Sequence, residues 1–465
     1  MAESPEVAYA PLEAEGEWGR AFNYHALDVE VERAEGVFIY DTKGNRYYDI
    51  SGGPMAVNLG HGHPKMREAI VEQFDRYCFV HPTLANRRRI DLGEAIAEIT
   101  PEGHNSSFLV SGGSEAVETA LKLARQYHVA TGNPGKHKIV SCYESYHGMT
   151  LATMALSGHP GTLRHYDPMI QHWPKIHQYS DARRPEGVSR DDWALSCARD
   201  LERLIAFEGA PTIAAFIATP HGCGSDYGVV APALYWREVR RICDENNVLF
   251  IDDEVVTGFG RTGEWFGIDH HGVVPDLMTF AKGISSANVP LGAVSVHDRV
   301  NEPFVNGVGF VHGFTNGGNA LACAAGVATI DIIKAEGLLD NCRARSAQLF
   351  ALRESLLAHP SVADVRGWGL FMVLELVGPD GRTYFPRNAS AEQRFQQVGL
   401  ANGLVFYSAL YGNRRAMGER GLPMWISPPL TITEAELDDM AARLDDTLTD
   451  WEQLMGFPPD GEERP

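Results

Sequence analysis

Short apolar runs recur along this chain, each closed by glycine or polar residues, and between them lie stretches whose apolar positions return with helical spacing. The runs SSFLVSG (Ser106–Gly112), HKIVSC (His137–Cys142), IAAFIAT (Ile213–Thr219), NVLFIDD (Asn247–Asp253), LMTFAK (Leu277–Lys282) and LGAVSV (Leu291–Val296) predict strands. Helices are predicted over Ser114–Val129, with Val117, Ala120, Leu121 and Ala124 on one face, over Ala233–Asn246 and over Asn319–Glu336. Alternation of this kind gives an α/β fold, a mixed or parallel sheet with helices on both faces.

Both ends of the chain follow a different pattern. GVFIYDTKGNRYYDISGG near the start is β-rich, with KGN as a hairpin turn, and a helix over Leu338–Leu357 leads into VADVRGWGLFMVLEL, LPMWISP and a closing helix over Glu434–Leu454. We expect a large domain over residues 65–337 and a small α+β domain built from residues 1–64 and 338–465. The tail GFPPDGEERP has the composition of a disordered segment.

Composition narrows the function. A net charge of -21, from 61 acids against 40 bases, disfavours nucleic acid and anionic membranes as partners and leaves small molecules or other protein chains. No stretch is long and apolar enough for a membrane span, and the N-terminus lacks a basic-then-apolar signal pattern, so a cytoplasmic protein is expected. The seven cysteines are scattered and never fall at CxxC spacing, which fits reduced thiols better than disulfides or zinc. GHGHP offers His61 and His63 as a metal pair, but no third ligand stands near them and a turn explains them better; no metal is expected.

Three places carry candidate chemistry. GFGRTG (Gly258–Gly263) satisfies G-x-G-x-x-G, yet it follows its strand only after DEVVT and leads into EWFGIDHHG, with no helix pattern, so a dinucleotide site is a poor reading and loop geometry a better one. In VSGGSEAVETALKLAR a strand runs through Gly112 and Gly113 into a periodic helix with Ser114 at the N-cap position; free N–H groups there suit a phosphate, although an ordinary capped helix reads the same way. PDLMTFAKGIS ends an apolar strand on Lys282, either a lysine snorkelling to solvent or an amine able to form a Schiff base. Twenty-nine positions earlier stands Asp253, inside the triplet Asp252-Asp253-Glu254. A phosphate site, a lysine and an acid together match the needs of pyridoxal 5'-phosphate (PLP): a phosphate cup, an amine for its aldehyde and a carboxylate for its ring nitrogen.

On these motifs, LFIDDEVVTGFGRTG and PDLMTFAKGIS above all, the chain resembles the class III (subgroup II) PLP-dependent aminotransferases, from about Gly36 to Asp445. The resemblance implies the PLP-dependent transferase fold type I, with Lys282 as the Schiff-base lysine and Asp253 as partner of the pyridine nitrogen. It further implies Gly113 and Ser114 at the phosphate, Tyr146 of YESYHGMT on one ring face with His147 and Gly148 beside it, and Val255 on the other face. HGFTNGGNALACAAG is similar to the element that crosses a dimer interface, so Thr315 is expected at the neighbouring subunit's phosphate, in a homodimer or a tetramer.

Two positions depart from the family pattern. Thr219 precedes Pro220 where the family commonly has Glu-Pro, replacing a carboxylate by a hydroxyl near the cofactor. Tyr407 stands where many ω-transaminases carry a carboxylate-binding arginine; Arg414, Arg415 and Arg420 are candidate substitutes, and Met55, Phe79 and Trp425 candidate pocket lining for donors without an α-carboxylate. The expected activity is transfer of the amino group of an ω-amino acid or amine to a keto acid such as pyruvate by way of pyridoxamine phosphate. A racemase, epimerase or aminomutase on the same scaffold is the alternative, because it would share Lys282 and Asp253. On an extended strand Asp253 faces away from Asp252 and Glu254, so one side of the acidic triplet serves the cofactor and the other a supporting network.

Overall fold

The computed structural model describes residues 29–457 except 82, 159–162, 164, 223–227, 308, 380–384, 386–389 and 408–421. Its centre is a seven-stranded sheet, in the order Ser106–Val110, Gly292–Val296, Leu277–Phe280, Leu249–Asp253, Ile213–Ala218, Lys138–Cys142 and Lys175–Ile176. Strand Gly292–Val296 pairs antiparallel with both its neighbours, and the other pairings are parallel. The sheet is therefore mixed, with its parallel part made by helical crossovers.

Every residue of Ile213–Ala218 and of Leu249–Asp253 is buried, as central strands covered on both faces require. Alternate side chains enter two separate cores: Ala215, Ile217, Leu249, Ile251 and Leu277 in one, Phe216, Phe250, Met278 and Phe280 in the other. Burying each of these large side chains contributes about 1.5–3 kcal/mol. Helix Gly113–Ala130 seals the first core with Val117, Ala120, Leu121 and Ala124, the face expected from periodicity. Helices Arg190–Glu208, Ala233–Glu245 and Ala320–Ala335 contribute to the second.

Near the chain start, Phe38–Asp41 and Arg46–Asp49 form the expected hairpin. Its turn is held by Asp41, whose carboxylate accepts from the Lys43 and Asn45 amides and from the Tyr47 hydroxyl. The two chain ends meet here: Arg46–Asp49 pairs in parallel with Leu404–Val405, Ser427 N donates to Ile50 O at 2.8 Å, and Leu430 N to Asn58 O at 2.8 Å. With Val31–Glu35 these strands make a four-stranded sheet, and a third, three-stranded sheet orders Val362–Gly367, Met372–Leu376 and Leu422–Ile426.

Several elements differ from expectation in detail. The helix expected over Leu338–Leu357 is two helices, Leu338–Ala351 and Arg353–Ala358. Strand Leu277–Phe280 stops before Lys282, which opens a 3-10 turn over Lys282–Ser285 with φ +48°. The N-cap of helix Gly113–Ala130 is Gly112, with extended backbone and no side-chain cap, and Ser114 sits inside the first turn. The C-terminal tail from residue 458 and Arg414, Arg415 and Arg420 lie outside the described residues.

Candidate active site

Asp253 is the last residue of its strand and is 3% exposed. By the alternation of the strand it shares a face with Leu249 and Ile251, toward helix Gly113–Ala130. Three donors converge on its carboxylate. His147 Nδ1 lies 2.7 Å from Oδ2, the Thr279 hydroxyl donates to Oδ1 at 3.0 Å, and Val255 N donates to Oδ1 at 3.2 Å. Thr279 faces Asp253 because the two are register partners across adjacent parallel strands. His147 is fully buried, and among the described residues its Nε2 has no hydrogen-bond partner.

The segment around His147 is built against the start of helix Gly113–Ala130. Met149 N donates to Ser114 Oγ at 3.1 Å. Gly148 has φ +129°, and a Cβ there would lie 2.5 Å from Ser114 Oγ and 2.6 Å from Thr153 Oγ1, so only glycine lets this loop close on the helix. At Gly113 a Cβ would lie 3.1 Å from the Val255 side chain and 3.5 Å from Ala281 Cβ. Thus Gly113 and Ser114, the Tyr146–Gly148 turn, the Asp253–Val255 strand end and the residue preceding Lys282 meet at one place. Tyr146, Val255 and Lys282 are all half-buried there.

Asp252 and Glu254 project to the other face, with Phe250, and both are 0% exposed. Glu254 accepts from Gly267 N at 3.0 Å, Ile268 N at 2.8 Å and the Thr257 hydroxyl. Burial pushes the Asp252 carboxyl well above the usual range, reinforced by Glu254, and pushes Glu254 up against the pull of its donors. Asp269 is raised to about 7, by burial and then by the charge of Glu254. The GFGRTG segment is a run of turns, with Gly260 and Gly263 at positive φ. Its Arg261 is 0% exposed and donates to Leu370 O at 3.0 Å, Pro428 O at 2.6 Å and Asn58 Oδ1 at 2.8 Å, with burial lowering it to about 10.

Other expected site residues fall into place unevenly. Met55, Trp425, Val256, Phe371 and Val373 form a small apolar island with Tyr407 packed against it, and the Tyr407 and Trp425 rings lie 5.4 Å apart. Val256 ties this island to the Asp253 loop. Met55 is buried with φ +58°, an uncommon conformation for a non-glycine residue. Phe79 is 49% exposed and outside the island, Thr315 is exposed, and Thr219 lines a small internal cavity with Cys142, Ser145 and Tyr235. His61 bonds Asp49 and His63 bonds Glu336, and the described residues hold no cluster able to bind a metal. Thr279, Asn58 and Arg261 were not legible as site neighbours; the only trace was the position of Arg261 inside the glycine-rich loop.

The Aminotransferase class-III family matches residues 20–448. The chain is 34% identical over 422 residues to the putrescine–pyruvate aminotransferase of Pseudomonas aeruginosa, covering 88% of each chain. It is 36% identical over 420 residues to the diaminobutyrate–2-oxoglutarate transaminase of Halomonas elongata, covering 88% of this chain and 87% of that one. Among solved structures it is similar to the ω-transaminase of Pseudomonas jessenii in complex with PMP, at 30% identity and TM-score 0.85 over 93% of this chain and 94% of that one. A match of this extent, on a fold with the same mixed sheet, means that the chain belongs to the class III aminotransferases and is a PLP-dependent transaminase.

Proposed function

We propose that the enzyme moves the terminal amino group of an ω-amino acid or amine to a keto acid, with pyruvate as the favoured acceptor. The observation that carries this reading is the convergence of Gly113, Ser114, His147, Asp253 and the Lys282 turn at one buried place, beside an apolar island in which Tyr407 stands instead of an arginine. Relatives that act on a diamine or diaminobutyrate support a donor whose reacting amine is remote from any α-carboxylate.

The residues present fit PLP. With Gly112 at the N-cap, the start of helix Gly113–Ala130 carries no side-chain cap, as a phosphate needs. A buried carboxylate fixed by three donors suits a protonated ring nitrogen. Bound PLP supplies an aldehyde that exchanges amines and a ring that draws electrons from the substrate carbon.

In this reading Gly113 and Ser114 hold the phosphate, Tyr146 and Val255 enclose the ring, and Thr219 offers a hydroxyl at its edge. Asp253 keeps the ring nitrogen protonated, with His147 and Thr279 fixing the orientation of the carboxylate. Lys282 would hold the cofactor through its side-chain amine, and the same amine would move the proton from the donor carbon. Met55, Tyr407 and Trp425 line the donor pocket. Phe79 joins that lining, Thr315 of a second copy completes the phosphate site at the dimer interface, and a tetramer would pair two such dimers. Residues 1–64 and 338–465 form a small domain beside a large domain over 65–337, and the enzyme works in the cytoplasm.

A panel of amines and ω-amino acids, mixed one at a time with purified enzyme and followed by the cofactor spectrum, tests the reading. Bleaching by ω-amines, reversed by pyruvate more readily than by 2-oxoglutarate, is the expected result. Turnover of an amino acid to its isomer with no keto acid requirement would overturn it.

A further inference from the structure

Asp252, Asp253 and Glu254 place three carboxyl groups in succession at a buried strand end, and their surroundings are unequal. Asp253 and Glu254 each receive three hydrogen bonds from other groups. Neither oxygen of Asp252, at 0% exposure, receives a donor from any other described residue. Its polar contact is Glu254 itself, two residues along the same strand face. Two carboxylates in contact in a dry site cannot both be ionised, and an ionised Asp252 would have nothing to satisfy it. Both Glu254 oxygens are already occupied as acceptors, Oε1 by Ile268 N and Oε2 by Gly267 N and the Thr257 hydroxyl.

We infer that Asp252 is a neutral carboxylic acid that donates its proton to Glu254, and that this acid–carboxylate pair is a positioning device for the reaction. Glu254, steadied by that bond, grips the loop from Thr257 to Ile268. The gripped loop in turn bears on the lysine turn. Phe259 packs against Phe280 with ring centres 5.5 Å apart, Phe266 stacks on Phe280 at 5.0 Å, and a Cβ at Gly283 would lie 3.2 Å from Phe259 Cβ. Phe280 and Gly283 bracket Lys282 in sequence, so the pair acts on the reacting amine through this packing. A neutral Asp252 also spares Asp253 a like charge at the adjacent position. The functional half of this inference rests on the assignment of Lys282 and Asp253 above; the protonation of Asp252 does not.

Infrared spectroscopy tests the protonation directly. At about pH 9, where ordinary carboxyl groups and Asp269 are ionised, the wild-type enzyme should retain the carbonyl stretch of a protonated acid, shifted in deuterium oxide. That band should survive Asp269→Asn and Asp253→Asn and vanish in Asp252→Asn. Absence of the band from wild type, or its survival in Asp252→Asn, overturns the inference. Should Asp252→Asn not fold, absence of the band from wild type, or its loss in either of the other two variants, still overturns the inference. For the positioning role, Asp252→Leu should lower kcat about tenfold with KM little changed, and Asp252→Asn, a neutral donor of the same shape, should restore it. Equal loss in both variants would mean that Asp252 acts as a charge and would refute the role.

Discussion

Asp253 and its two neighbours show how much a strand end decides residue by residue. Their division between faces follows from the period of two along a strand, and was readable in the sequence as soon as the strand was placed. Their partners were not. His147 lies 106 positions from Asp253 and Thr279 lies 26, and nothing in either local pattern points to the contact. Replacing Asp253 by Asn removes the negative charge while leaving a side chain that Thr279 and Val255 can still bond. Circular dichroism and the melting temperature should therefore stay near wild type while kcat falls by about 100-fold or more, as expected when a preorganised charge is lost. Wild-type turnover by that variant would remove Asp253 from the cofactor site.

Elements were legible where periodicity was strong, and least so where backbone geometry departs from it. The helix over Gly113–Ala130 and the buried central strands follow the apolar pattern closely. Lys282 could not be foreseen at φ +48°, because its conformation is set by the turn it opens and by packing from a different loop. Helix Glu434–Met455 illustrates both cases: its capping box at Thr433 and Glu436 is local, whereas its anchoring depends on the distant turn between helix Arg353–Ala358 and strand Val362–Gly367. There Glu452 accepts from Ser361 N at 3.0 Å and lies 3.3 Å from His359 Nδ1, with Asp445 3.0 Å from Nε2. The bond to Glu452 raises His359 above its usual value, despite burial and with help from Asp445. Burial opposes ionisation of Glu452, but His359 and Ser361 hold it below its usual range. The His359 contribution to stability is full below the ordinary histidine value near 6.5 and is lost as pH rises through the raised folded value. The Glu452 contribution is full above about 4.5 and is lost as pH falls through the lowered one. Urea midpoints measured across pH should thus show wild type losing its advantage over His359→Asn as the solution becomes alkaline. A constant difference between the two proteins would contradict the linkage.

At the scale of the whole molecule, the single chain leaves apolar side chains in the open. Val71, Phe74, Phe79, Leu84 and Ile90 are all exposed within one stretch of sequence, and Thr315 is exposed as well. A cluster of this kind is what a second copy would cover. Sedimentation at micromolar concentration should give at least twice the chain mass of 51.1 kDa, and Phe74→Asp should lower the mass and release cofactor together. A wild-type monomer that retained cofactor and full activity would argue against a shared site. Membership of the family was readable from motifs because the Gly112–Ser114 helix start, Asp253 and Lys282 keep the family's order along the chain. The apolar island of Met55, Trp425 and Phe371, by contrast, is assembled from distant segments and emerges only in the fold.

In the proposed function Lys282 and Asp253 serve a resident PLP in amino transfer. Its most direct test is the visible spectrum of the purified enzyme, recorded before an ω-amine is added, after it, and again after pyruvate, for wild type and for Lys282→Ala. Wild type should show a visible band that the amine bleaches and pyruvate restores within one turnover, and in Lys282→Ala the cycle should be at least about 1,000-fold slower. A wild-type protein with no visible band, or a Lys282→Ala protein that cycles at the wild-type rate, would contradict it.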